Sequence, residues 1–460
     1  MRTRRGVEDV VGERTLASNG RGARRTRFAH LAAWSLVLAL AGAARAMSAH
    51  ADDPPTTHAH DDVIPTAPLR HAWVQARARA ASPRLRALGA GVDAAHARVG
   101  AAAPLEDPMV MLRVWDMPAG VVTRMPGQTM LMAQQSLPLS SIRARREDVA
   151  RTEAREAEIA RDAAAHGARL EADLAYVALW EAVARTRLVA EDAQLVARRA
   201  ALVRALVANG AAGASELARS ETLAVRADSD VRTAETSVAA QRLALAALLD
   251  LPPDTPLPDP PEALHAPEPP TLTALSQDAL SRRAETRYGA VARARAAALE
   301  GVARASEGPV LTVGAGAMLM AHEGLGWMVE TGLTLPVWRD ARRARHAEAA
   351  ALAREAEAAG DAWRLAIVRE VGRAWSDWHA AAERLAGLRA RLLPAHDNQV
   401  AVARAALETG GDARALVDAE RERLGVRLDI VDAQAALLRA ACVAIHAAGR
   451  DAELVEEVLR

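Results

Sequence analysis

Two stretches of about 70 residues, 140–208 and 340–408, are rich in alanine, arginine, glutamate and leucine and patterned for helix. At ~1.5 Å per residue each would be about 100 Å long, more than an ordinary globular domain can enclose. Each opens just after a proline that ends a short apolar segment, Pro138 or Pro336, 198 positions apart. Trp180 and Trp378 repeat at the same offset, Gly210 and Gly410 at 200, and Leu217 and Leu416 at 199. Four landmarks near one offset mark an internal duplication.

The parts follow one order in both halves. A shorter helix comes first, about 69–100 or 271–306. Two strand-like segments follow, 108–118 with 129–138 and 310–321 with 326–336. After the long run comes a glycine-containing break, Asn209-Gly210-Ala211-Ala212-Gly213 or Thr409-Gly410-Gly411-Asp412, and then a returning helix, 215–250 or 413–449. Glycine and asparagine supply the left-handed conformation that closes a helix, while Ser215 and Asp412 suit the N-cap of the next. The expected fold class is therefore mainly α with a small β part, built on long antiparallel helical hairpins.

Between the halves, residues 251–270 carry too many prolines to continue a helix. The expected domains are an export signal at 1–46, a flexible mature terminus at 47–68, a first repeat at 69–250, a proline-rich link at 251–270, a second repeat at 271–450 and a tail at 451–460. The export signal is read from Arg21, Arg24, Arg25 and Arg27, an apolar run from Phe28 to Ala44, and the small-residue sequence Ala44-Arg45-Ala46. Cleavage after Ala46 and after Ala51 both fit. The lone cysteine, Cys442, allows no internal disulfide and lies far from any lipid-anchor position. After residue 46 no apolar run reaches the roughly 18 residues of a membrane helix, so a membrane-spanning role would fall to strands.

Two hairpins of this length cannot bury their apolar faces in one compact core, and four strands leave two open sheet edges. A closed ring of subunits answers both needs. The lead-in segments Ser136-Leu137-Pro138-Leu139 and Leu333-Thr334-Leu335-Pro336-Val337, the run Val402-Ala403-Arg404-Ala405-Ala406-Leu407-Glu408-Thr409-Gly410 and the proline-rich link make the chain resemble the TolC family of outer-membrane factors. The resemblance covers residues 69–450. It implies a homotrimer whose strands form a 12-stranded β-barrel in outer-membrane lipid and whose hairpins form an α-barrel reaching into the periplasm. It also implies an outer-membrane channel of a tripartite efflux system, fed by an inner-membrane pump and a periplasmic adaptor. The adaptor would dock at the hairpin tips, around Asn209, Gly210, Gly213, Ser215, Gly410, Gly411 and Asp412. Glu216, Asp412 and Asp418 could ring the pore mouth and select cations, or serve only as caps and solvated side chains. Trp115, Trp327 and Trp338 lie in or beside the strands, where an aromatic girdle would sit.

Methionines crowd the strands. Met109/Met111, Met130/Met132 and Met318/Met320 have period two, which places each pair on one face, as packing or lipid-facing residues or as thioether ligands for Cu(I) or Ag(I). The segment from Glu106-Asp107-Pro108-Met109 to Met117-Pro118, with Met125-Pro126, resembles family members linked to heavy-metal efflux. His58 and His60, beside Asp61 and Asp62, are a second metal candidate, or simply part of a linker. No cofactor motif is present: Gly314-Ala315-Gly316 lacks the third glycine and following helix of a nucleotide loop. No nucleophile triad or paired-carboxylate spacing points to an enzyme. Lys plus Arg and Asp plus Glu both number 58, so net charge supplies no basic face for nucleic acid. The rival reading is a periplasmic coiled-coil adaptor or scaffold without a pore, which would need no strand pairs.

Overall fold

The computed structural model describes residues 68–115, 128–320, 324–410 and 412–450. The expected export signal, His58, His60, Met117, Met125, Gly411 and the tail 451–460 lie outside the described residues.

Each half supplies two short helices, two strands and a long helical hairpin. The first contains α1 (His71–Ala81), α2 (Pro83–Ala102), β1 (Met109–Trp115), β2 (Gln128–Pro138), α3 (Ile142–Ala208) and α4 (Ala214–Leu248). The second contains α5 (Leu272–Arg282), α6 (Thr286–Ala305), β3 (Val310–Met320), β4 (Gly324–Thr334), α7 (Arg339–Gly387), a π-helical turn (Leu388–Leu392), α8 (Leu393–Glu408) and α9 (Ala413–Ala447). Helix α3 alone has 67 residues, about 100 Å at ~1.5 Å per residue.

Three of the expected helices are interrupted. The expected helix 69–100 breaks at Ser82, because Pro83 drives the preceding residue out of the helical region. Ser82 then caps α2, its hydroxyl accepting from the Leu85 amide at 3.3 Å. The matching helix 271–306 breaks at Arg283, which takes an extended conformation (φ −62°, ψ 136°) without a proline. The third break is the π turn before Pro394. Proline lacks an amide hydrogen and its ring collides with the carbonyl four residues back, so the helix widens by one residue and continues. Strand β4 ends at Thr334, short of the expected 336.

The four strands form one antiparallel sheet in the order β1-β2-β3-β4, so the two repeats join through β2 and β3. Strands β1 and β4 are its edges. Strands β2, β3 and β4 have 11 residues each, the ~9–11 that a tilted strand needs to cross a bilayer. No helix among the described residues is long and apolar enough to cross a membrane.

The hairpins satisfy part of each other's apolar faces, more than the sequence led us to expect. Tyr176, Leu179 and Trp180 from α3, Leu245 from α4, Ile367, Val371 and Trp378 from α7, and Leu438, Cys442 and Ile445 from α9 form one buried cluster. The duplicated tryptophans both belong to it. The proline-rich link packs as a strap over this core rather than hanging free: Leu257 and Leu264 are buried. The Trp180 and Trp375 indoles donate to the Glu262 and Pro270 carbonyls, at 3.3 and 2.8 Å. Burial pushes the Cys442 thiol pKa well up, as befits an inert core residue.

Candidate functional site

At the hairpin tips, Gly210 and Gly410 adopt φ of +70° and +89° with open space around them. Backbone conformation alone asks for glycine there, one residue past Asn209 and Thr409 in each half. Asp412 caps α9, its carboxylate accepting from the Arg414 amide at 2.9 Å. Ser215 does not cap α4: that helix starts at Ala214, Gly213 holds the cap position without a side-chain bond, and Ser215 falls inside the first turn.

The acids expected at the mouth are each paired with arginine. Arg414 donates to Glu216 at 2.6 Å and to Asp412 at 2.8 Å, tying the tip of one hairpin to the other. Arg199 donates to Asp418 at 2.5 Å. Hydrogen bonding to the Arg414 amide, reinforced by its guanidinium, holds the Asp412 carboxyl below the usual carboxylate range. Sequence reasoning missed Arg414, whose one signal is its position two residues after a helix cap.

The pairing continues along α3 and α9. Arg421 reaches Asp192 at 2.8 Å, Arg427 Glu191 at 2.6 Å, Arg185 Asp432 at 2.7 Å and Arg439 Glu181 at 2.5 Å. The charged faces of these helices thus carry bridges between hairpins as well as the expected local pairs such as Arg151 with Glu147. Each is partly exposed and worth at most about 1 kcal/mol. Their effect is to set the register of two antiparallel helices.

The sheet has two unlike faces. Side chains directly opposite in an antiparallel pair share a face, so the registers Val110↔Ala133↔Ala315↔Val329 and Leu112↔Leu131↔Ala317↔Trp327 define one. That face is apolar and open: Leu112 is 66% exposed, Val329 78% and Trp327 82%. A contiguous apolar surface of this kind is uncommon on a soluble protein and marks contact with lipid or another protein. The registers Met111↔Met132↔Gly316↔Met328 and Gln134↔Gly314↔Glu330 define the other. There, glycines, Thr312, Ser136, Gln134, Glu330 and Arg113 accompany every methionine of the described strands. Met130 and Met132 are only 4% and 3% exposed. The methionines therefore sit opposite the apolar face rather than forming part of it. Trp327 lies on the apolar face and Trp338 is exposed just beyond β4, while Trp115 shares the methionine face.

The glycines of β3 are required by close approach. A Cβ at Gly316 would stand 2.5 Å from the Leu131 carbonyl oxygen, and one at Gly314 2.9 Å from the Gln134 side chain. Because Gly314 has no side chain, Gln134 reaches across it and donates to Glu330 at 3.0 Å.

No protein-family model matches the sequence, and no curated protein matches it. Solved structures do. The chain is similar to the transmembrane channel CusC, at 18% identity and a TM-score of 0.69, over 83% of this chain and 92% of that one. It is also similar to the outer membrane protein VceC of Vibrio cholerae (18%, TM-score 0.65, 82% and 96%). The open-state outer membrane channel MtrE of Neisseria gonorrhoeae is a third (18%, TM-score 0.63, 83% and 89%). At these identities the likeness establishes the fold: long helical hairpins joined to four strands, as in outer-membrane channels.

Proposed function

We propose that this chain is one subunit of a homotrimeric TolC-type outer-membrane channel, the passive exit duct of a tripartite efflux system. The sheet carries the reading. Its strands are long enough to cross a bilayer, one face is apolar and open, the other is polar and rich in methionine, and both edges are unpaired. Barrel strands in outer membranes alternate in this way, apolar toward lipid and polar toward the lumen. Three copies would pair β1 with β4 of a neighbour and remove every edge. The fold likeness to outer-membrane channels supports the same conclusion.

In this arrangement no bond chemistry is involved. Cargo delivered by an inner-membrane pump and a periplasmic adaptor would pass between the hairpins and leave through the barrel. The tips, closed by Arg414 on Glu216 and Asp412, are the natural docking and gating point for the adaptor. A pore-free scaffold would have no use for an open apolar sheet face. Heavy-metal cations are the cargo the strand methionines favour.

Fractionation of the expressed protein tests the reading. It should require detergent, migrate as a trimer that heating converts to monomer, and raise the conductance of a planar bilayer. Recovery as a soluble periplasmic monomer would overturn it.

A further inference from the structure

The seven methionines of the described strands, Met109, Met111, Met130, Met132, Met318, Met320 and Met328, all fall on one face of the sheet. Apolar packing does not account for that. The opposite face is the greasy one, and it is built mainly from leucine, valine, alanine and tryptophan, with Thr129, Gln135 and Thr331 among them and without a single methionine. The residues between the methionines are mostly glycine, threonine, serine, glutamine, glutamate and arginine, with Trp115 and Val310 confined to the ends of their strands.

The registers gather the thioethers. Met111 lies directly opposite Met132, and Met130 directly opposite Met318, positions whose Cβ atoms stand about 4.5–5.5 Å apart. Met132 and Met328 flank Gly316, one on each side. The Gln134–Glu330 bond across Gly314 demonstrates that side chains can meet over this glycine row, one pair further along the same strands. Nearby donors already find the sulfur atoms: the Arg113 guanidinium lies 3.5 Å from Met111 Sδ and the Gln134 amide 4.0 Å from Met132 Sδ. The Met111 and Met132 sulfurs therefore meet polar groups on this face, although Met130 and Met132 are themselves only 4% and 3% exposed.

We propose that this thioether row is a binding site for soft monovalent cations, Cu(I) or Ag(I), with Met132 at its centre and Met111, Met130, Met318 and Met328 around it. Thioether sulfur favours such ions over hard or borderline ones. Charge does not recruit them, since Arg113 and Glu330 offset each other on the same face. Among the described residues no group of three His, Cys, Asp or Glu side chains gathers to hold a harder ion such as Zn(II). Several weak, adjacent sites are also what conduction needs, because an ion must be able to leave as well as enter. The inference deepens the duct reading and rests on it for one point only, that this face lines the bore.

The test uses the full-length protein purified in detergent and Ag(I) as a probe that does not change oxidation state. X-ray absorption should reveal a shell of sulfur around bound silver. The triple variant Met130→Leu, Met132→Leu and Met328→Leu keeps side-chain volume and should bind silver at least about tenfold more weakly. Its trimer and its conductance report that it is folded; should it fail to assemble, Met328→Leu alone and the wild-type spectrum carry the test. Zn(II) should not compete. Silver bound through oxygen or nitrogen, or bound equally by wild type and variant, would overturn the site. Conductance without silver binding would remove the site and leave the duct; silver binding without conductance would do the reverse.

Discussion

Placing an arginine at Val329 asks directly which face of the sheet meets lipid. Val329 is 78% exposed and central in the 11-residue strand β4, five residues from either end, or about 17 Å at ~3.4 Å per residue. Tilted by ~40°, such a strand covers roughly 28 Å of membrane, close to the ~25 Å apolar band of outer-membrane barrels. Val329 would therefore lie near the bilayer midplane, where arginine on a lipid-facing position costs about 2–4 kcal/mol. With three copies in a trimer the sum is roughly 6–12 kcal/mol, comparable to the whole stability of an ordinary domain. Glu330→Arg changes the next residue, on the opposite face, and should cost within about 0.5 kcal/mol apart from its bond to Gln134. The assay compares the heat-modifiable trimer recovered from membranes and its urea midpoint for the two variants. Val329→Arg should leave little trimer, while Glu330→Arg should resemble wild type. Equal tolerance of both, or greater damage from Glu330→Arg, would refute the assignment of faces.

Other outcomes follow from the same geometry. Gly316→Ala puts a Cβ 2.5 Å from the Leu131 carbonyl and should cost at least about 1–3 kcal/mol, read as a lower trimer melting point. Gly332→Ala, with its nearest neighbour at 3.8 Å, should be close to silent. Trp378 is buried but its indole N–H has no partner, so Trp378→Phe should be mild, whereas Trp378→Ala should cost about 3–5 kcal/mol in thermal or urea unfolding. The Asp412 carboxyl has a folded pKa below its unfolded value. Its contribution is complete above the ordinary carboxylate range and is lost as pH falls through the lower, folded value. Protease sensitivity of the tips should therefore be flat from neutral to mildly acidic pH and rise only in stronger acid, and Asp412→Ala should remove that dependence.

The features legible in the sequence are those written locally. Gly210 and Gly410 announced the hairpin tips because positive φ excludes most other residues, and the period-two methionines announced a shared strand face. The duplication ran further than its landmarks: Ser82 and Arg283 break equivalent helices, and Asp250 and Gly449 both end returning helices at positive φ. What escaped notice depends on partners far away in the chain. That Arg414 would join Glu216 to Asp412 follows from two hairpins lying side by side, and no local pattern encodes it. The strap was read as a divider because prolines forbid helix, yet Leu257 and Leu264 mark it as buried. Which strand face is apolar became clear only when β1 to β4 were placed in register, since no single strand is long enough to reveal it.

The central claim is that the free edges β1 and β4 meet between subunits and close one barrel. Cysteines introduced in turn along β1, from Val110 to Val114, and along β4, from Leu325 to Leu333, test it by oxidative crosslinking in intact cells, with the native Cys442 buried and silent. The account predicts that matched pairs yield a covalent trimer that resists boiling in detergent and collapses to monomer on reduction. Monomer alone at every pairing would contradict it.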